Sequence, residues 1–300
     1  MRTLFGTYWP ALLAVIFWGL SYVWSTICFQ YYSPLATIFL RLLISATLLL
    51  SILVFKGISL RIKRNDVPRF LATAFFSPFI YFLGENYGLA LTTPTTTAVV
   101  VATIPLFTPF AAWLVLKEQL GPLNILGIAV SFGGILWMLT QGGPSLTGNP
   151  EGILLLLLGV AAAVGYTLTI KKLAERYSPF FIITWQNILG MLYFLPLFLW
   201  FDFENVLKVP LNGSLAVSLV SLAVFASTLA FIFWVRMLRT IGAARTSVMA
   251  NLIPAITALA AFLMGQEHFD LPKLLALSVV MSGVILSQLK VKSWKLEVKS

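Results

Sequence analysis

The polar side chains that fall inside long apolar runs are few: Arg41, Glu85, Asn86, Gln186, Asn187 and Asn251, with Ser and Thr scattered between them. In hydrocarbon a central charge costs about 2.5–3.5 kcal/mol on insertion scales, so such a residue is first read as part of a functional site. Arg41 and Glu85 have opposite sign and sit at similar depth in consecutive runs. They suit a structural ion pair or a gate. Glu85 is the only acid well inside a run, which also makes it the natural carrier of a coupling proton. Asn86 beside it can donate and accept, as an amine or a carboxylate would require. Neighbouring positions on a helix diverge by about 100°, so only one of the two should face a cavity. Trp18, Tyr22, Tyr81 and Tyr166 lie too deep in their runs for an interfacial belt. They suit a cage for an aromatic or cationic group, or packing between helices. Asn251 with Pro254, and Thr103 with Pro105, form a further matched set. Proline in a membrane helix breaks the backbone ladder and frees carbonyls that a polar cavity can use.

These residues point to binding rather than catalysis. A reaction centre needs paired acids, a nucleophile with its base, or a metal cluster. Cys28 is the only cysteine and His268 the only histidine, too few for an internal disulfide or a zinc site. No phosphate-cradling glycine loop is present, so an ATP-driven pump is not expected, nor a cofactor. The expectation is therefore no catalytic residue, no metal and no enzyme.

The elements that must hold these residues follow from composition. Hydrophobic residues make up 59% of the 300-residue chain and charged ones 10%, against about 25% charge in a soluble domain. Apolar runs long enough to cross a bilayer recur along the whole length. They are 8–29, 35–55, 70–90, 96–116, 123–140, 153–170, 180–200, 215–235, 248–264 and 274–289. The first is longer than the apolar region of a signal peptide, so it is read as a span. Turn chemistry separates the runs: Tyr32-Ser33-Pro34, Gly121-Pro122, Gly142-Gly143-Pro144 and Asn149-Pro150. With the N-terminus inside, the inner loops collect seventeen of the Lys and Arg residues, and the outer loops only Lys208 and Lys273. That bias predicts both termini in the cytoplasm. It also explains the net charge of +10 without a nucleic-acid partner.

The second half repeats the first. IPLFTPFAAWLVLKE at 104–118 matches IPAITALAAFLMGQE at 253–267; Pro105 pairs with Pro254, Glu118 with Glu267 and Gly134 with Gly283, all at an offset of 149. Tyr32-Ser33-Pro34 matches Tyr177-Ser178-Pro179 at an offset of 145. The matched glutamates stand at helix boundaries, where a carboxylate caps a helix or pins two together. Each unit, 8–140 and 152–289, holds five spans. An odd number puts the two copies in opposite orientations, as in many secondary transporters. The predicted fold is an all-α membrane protein: ten transmembrane helices as two inverted five-helix repeats around a central cavity.

Trp18-Gly19, Arg41 and the repeated Pro–Glu–Gly spacing resemble the drug/metabolite transporter superfamily in its EamA-like branch. The resemblance covers roughly residues 10–140 and 152–288. It implies transport, usually export, of amino acids or other small solutes across a bacterial inner membrane. The expected function is a secondary transporter moving an amino acid or related amine by alternating access. A nucleotide-sugar or sugar-phosphate exchanger is the alternative cargo, and an intramembrane enzyme the alternative class. The expected partners are a small-molecule substrate, the lipid bilayer and a coupling proton; monomer and homodimer both stay open.

In a Cys28→Ser background, cysteine placed at Thr147 should react with a membrane-impermeant maleimide in intact cells, while cysteine at Ser300 should react only after lysis. Equal labelling of both in intact cells would contradict the odd number of spans per unit.

Overall fold

The computed structural model describes residues 2–107, 122–140, 149–210, 212–241, 249–268 and 271–288. Among these residues there is no strand. The helices are α1 (Arg2–Phe29), α2 (Pro34–Phe55), α3 (Arg64–Ala90), α4 (Pro94–Phe107), α5 (Pro122–Thr140), α6 (Pro150–Ala174), α7 (Pro179–Phe201), α8 (Gly213–Thr240), α9 (Ile253–Leu263) and α10 (Leu271–Gln288). Among the described residues six helices are long and apolar enough to cross a membrane: α2, α3, α6, α7, α8 and the Trp9–Phe29 part of α1. Shorter apolar helical stretches lie in α4, α5, α9 and α10. Glu118 and the rest of the expected fourth span fall outside the described residues.

The helices begin where the turn chemistry says they should. Ser33 and Ser178 are N-caps, each followed by proline in the first turn. Their hydroxyls accept from the backbone N–H groups of Ala36 (3.0 Å) and Phe181 (3.2 Å). Thr93-Pro94 and Asn149-Pro150 repeat the arrangement on α4 and α6. A capping oxygen satisfies an orphan N–H, and proline has no N–H to orphan.

Four interruptions have direct bearing on the interior. α3 widens to a π-helical turn over Phe75–Ile80, where Ser77 is extended (φ −145°, ψ 123°). α8 carries a π-helical stretch over Leu222–Leu229. α4 breaks at Ala102–Thr103, and a matching turn at Asn251–Leu252 precedes α9. Pro105 and Pro254 are each the second residue after such a break, so neither deprives an established helix of a hydrogen bond.

Small residues set the crossings. α5 packs on α10, α2 on α7, and α4 on α9; α1 packs on α8 and α9, and α6 on α3 and α4. At the α3–α6 crossing Gly84 faces the backbone of Leu155 and Gly159, and Gly88 faces Leu156 and the Gly152 carbonyl. At the α5–α10 crossing Gly134 lies against Val280 and Gly283 against Ser131, whose hydroxyl donates to the Val280 carbonyl (2.8 Å). Backbones this close gain dispersion where lipid supplies no hydrophobic drive. The main apolar cluster, with Leu42, Phe70, Phe194 and Leu222, joins α2, α3, α7 and α8.

Polar staples close both ends. Asp66 accepts from Arg69 and Arg176 (both 2.9 Å) and from the Tyr177 hydroxyl (3.0 Å), tying the start of α3 to the α6–α7 turn. Ser33 donates to Asp202 (2.5 Å), tying the α1–α2 turn to the end of α7. Glu267, after α9, accepts from the Thr95 N–H (2.7 Å) and so holds the start of α4.

Gly84→Ala should lower the thermal midpoint in detergent by an amount equivalent to about 1–3 kcal/mol of overpacking. Its Cβ would run into the Leu155 carbonyl. Gly133→Ala, where a Cβ meets nothing within 4 Å, should be tolerated; equal behaviour of the two variants would rule out close α3–α6 packing.

Candidate functional site: a polar cavity between the helices

A cavity of about 160 Å³ lies between α1, α2, α3, α4, α6, α8 and α9. Drug-sized ligands need roughly 300–1,000 Å³, so this space suits a smaller solute. Of the residues singled out from sequence, Trp18, Tyr22, Arg41, Tyr81, Glu85, Pro105 and Tyr166 line it. Asn86, Asn251 and Pro254 do not.

Glu85 is the acidic pole. α3 turns its carboxylate inward, and its Oε1 accepts from the hydroxyls of Tyr81 (2.5 Å) and Tyr22 (3.3 Å). Tyr81 lies one helical turn before Glu85, where i and i+4 share a face, and Tyr22 reaches across from α1. Asn86 points elsewhere, as the helical angle requires. Its Nδ2 donates back to the Phe82 carbonyl (3.0 Å) and weakly to Glu85 Oε2 (3.4 Å), while its Oδ1 is buried without a partner. Asn251 lies partly buried in the turn before α9, and its neighbours Ala250 and Ile253 reach the cavity instead.

Arg41 is the basic pole. It forms no salt bridge with Glu85 among the described residues. Its Nε donates to Ser227 Oγ (2.8 Å), and its guanidinium carbon lies 4.5 Å from the centre of the Phe82 ring. The two charges share the cavity without direct contact, because a serine on α8 and an aromatic face on α3 hold the guanidinium. Behind Ser227 runs a buried relay. Asn187 Nδ2 donates to Ser45 Oγ (2.7 Å) and to the Ser227 carbonyl (3.0 Å), and Ser45 bonds Thr228 (2.5 Å). Gln186, the neighbour of Asn187, accepts from Tyr166 (3.0 Å). The two intramembrane amides of α7 thus hold the cavity wall from outside.

The apolar wall is aromatic. Trp18 stands 5.0 Å from Trp234 and 5.2 Å, edge to face, from Phe231. Phe231 and Trp234, with Ser77, Thr167 and Ile170, line the cavity without having been singled out. In sequence they look like ordinary residues of an apolar run. The repeat read from the sequence was the available signal, since it would make α8 the counterpart of α3, which carries Tyr81 and Glu85. Among the described residues no group of His, Cys, Asp and Glu is arranged to hold a metal ion.

Apolar helices packed around a cavity whose described lining carries one acid and one base define an integral membrane protein of the transporter class. Comparison with known proteins supplies the family. The model of the EamA-like transporter family matches residues 6–140 and again residues 150–289, and the chain belongs to that family. It is therefore a membrane transporter and not an enzyme. An uncharacterized transporter of Archaeoglobus fulgidus is 26% identical over 91% of this chain and 95% of its own length. The uncharacterized inner membrane transporter YedA of Escherichia coli is 29% identical, over 92% and 89%. A crystal structure shares the fold at a TM-score of 0.68 with 16% identity, covering 95% of this chain and 98% of the other.

Asn187→Leu should cost about 1–3 kcal/mol, the price of unpaired buried polar groups, read as a lower thermal midpoint. Asn205→Ala, at an exposed site, should stay within about 0.5 kcal/mol of the parent. Matching midpoints would remove the relay from the account.

Proposed function

We propose that this protein is a secondary transporter, working as an exporter, for an amino acid or a related small amine. The observation that carries the reading is the Glu85 carboxylate, held by Tyr22 and Tyr81 inside a cavity walled by Trp18, Phe231 and Trp234. An ammonium group is attracted by a carboxylate and by aromatic faces together. Glu85 also offers one position that a proton and a cationic substrate would compete for, which is the simplest chemistry for proton coupling. Among the described residues Arg41 is the only basic one on the cavity lining. A sugar phosphate or nucleotide sugar would call for several, so that cargo is not favoured.

The transport cycle in this reading is alternating access between two inverted five-helix units, 8–140 and 152–289, which together make ten spans. Three observations support it. The family model matches twice, with similar bounds. Exchanging α1–α5 with α6–α10 in order turns the helix pairings into one another: α1 with α8 becomes α6 with α3, α1 with α9 becomes α6 with α4, and α2–α7, α4–α9 and α5–α10 map onto themselves. The breaks at Ala102–Thr103 and Asn251–Leu252, and the contacts Gly134–Val280 and Gly283–Ser131, keep the offset of 149. The lysine and arginine bias supports cytoplasmic termini, and the inner-membrane relatives support the same membrane here.

Counterflow of labelled amino acids in proteoliposomes tests the cargo. Glu85→Gln should abolish uptake driven by a proton gradient while exchange continues; intact proton-driven uptake would remove Glu85 as the carrier. Trp18→Ala should weaken substrate affinity about 3–10-fold, the scale of one aromatic contact, and unchanged affinity would dismiss the aromatic wall.

A further inference from the structure

Arg41 is held, but no carboxylate among the described residues touches it. It is buried, its Nε is taken by Ser227, and one face of its guanidinium lies on Phe82. Among the described residues no acceptor stands within hydrogen-bond distance of Nη1 or Nη2. A guanidinium has five donors in a fixed fork, and its outer edge matches the two oxygens of a carboxylate. Here that edge belongs to a residue on the cavity lining, shared with the Glu85 carboxylate. A buried cation without an anion is strongly disfavoured unless something brings one. Glu85 acts on it across the cavity but makes no salt bridge with it, so among the described residues the Nη edge has no direct acceptor.

The position of Arg41 is built, not incidental. Ser227 lies within the π-helical stretch of α8, and the Ser227 carbonyl is held by Asn187 of α7. Asn187 also holds Ser45, one helical turn beyond Arg41 on α2, and Ser45 bonds Thr228. Three helices therefore converge to fix one side of the guanidinium and leave the other side free.

We propose that the free Nη edge of Arg41 is the carboxylate-binding pole of the cavity, set opposite Glu85, with Ser227 as the residue that positions it. The proposal rests on the transport reading above and adds that the cargo carries an anionic group as well as an ammonium group. A plain amine satisfies Glu85 but leaves Arg41 unpaired. A plain carboxylate satisfies Arg41 and leaves Glu85 unpaired.

The test uses two sets of near-isosteric probes: leucine, isoamylamine and 4-methylpentanoate; phenylalanine, 2-phenylethylamine and 3-phenylpropionate. Binding of each to the purified full-length transporter in detergent is measured by thermal stabilisation and by displacement of labelled leucine or phenylalanine. The parent protein should bind the amino acid at least ~10-fold more tightly than the matching amine, the scale of one charge-assisted pair. Arg41→Gln should weaken amino-acid binding at least ~10-fold and so erase that ratio, with the amine bound no more weakly than by the parent. Ser227→Ala should reduce the ratio without abolishing it, again sparing the amine. Amine affinity that does not fall reports that the cavity is intact, so weaker amino-acid binding reads a lost anion pole rather than misfolding. If Arg41→Gln keeps the parent's ratio, or if both amine and amino acid weaken together in Ser227→Ala, Arg41 is not the anion pole, although the transport reading stands. If none of the probes binds the parent, both readings fall.

Discussion

A carboxylate taken into a membrane interior must replace its water with fixed donors, and for Glu85 those donors are two tyrosine hydroxyls. Much of the surrounding structure is needed to keep them there. Tyr22 can reach Glu85 only if α1 runs beside α3, and α1 is held by Thr257 of α9, whose hydroxyl donates to the Gly19 carbonyl (3.0 Å). α3 is held against α6 by the residue just before the glutamate, Gly84, which leaves no room for a side chain. The acid, its donors and the glycine that sets its depth are parts of one constraint. Arg41 answers to the same rule with the opposite sign: its Nε donates to a serine and one face of its guanidinium lies on an aromatic ring.

The backbone obeys a parallel rule. In lipid every N–H and C=O must be satisfied within the protein, so irregular segments survive only where they face protein or a cavity. The interruptions at Ser77, Ala102–Thr103 and Leu222–Leu229 follow it. Ser77 and Ala102 line the cavity, the Ser227 carbonyl is taken by Asn187, and Thr103 is fully buried with its hydroxyl on the Val100 carbonyl. Wide turns of this kind recur at functional sites because they turn backbone groups toward a ligand or a partner side chain.

The two ends of the molecule are closed with different chemistry. At one, Asp66 gathers two arginines and a tyrosine. At the other, Asp202 holds a single serine hydroxyl. Each acid follows a helix hairpin of one half and reaches the tight Tyr-Ser-Pro turn of the other, where the serine already caps a helix. The staples therefore join the halves across the same junction that the cavity occupies.

Apolar run lengths, turn chemistry and charge bias are one-dimensional properties, which is why the helices and most of their starts were legible in the sequence. The capped prolines of α2, α4, α6 and α7 needed only local geometry. So did the divergence of Glu85 and Asn86, because the angle between neighbours on a helix is independent of packing. Trp18, Tyr22, Tyr81 and Tyr166 could be marked by depth alone. What tertiary structure decided was which groups meet. Nothing in the spacing of Arg41 and Glu85 says that Ser227 and Phe82 will hold the guanidinium, and nothing in α8 distinguishes Phe231 and Trp234 from residues that face lipid. The π-helical turns in α3 and α8 were equally hidden, since an extra residue in a turn leaves no mark on an apolar run. The sequence determines which segments enter the membrane because transfer free energy is a sum over residues. The pairing of polar side chains inside is decided by crossing geometry, which small residues such as Gly84, Gly134 and Gly283 set only once two helices are in contact.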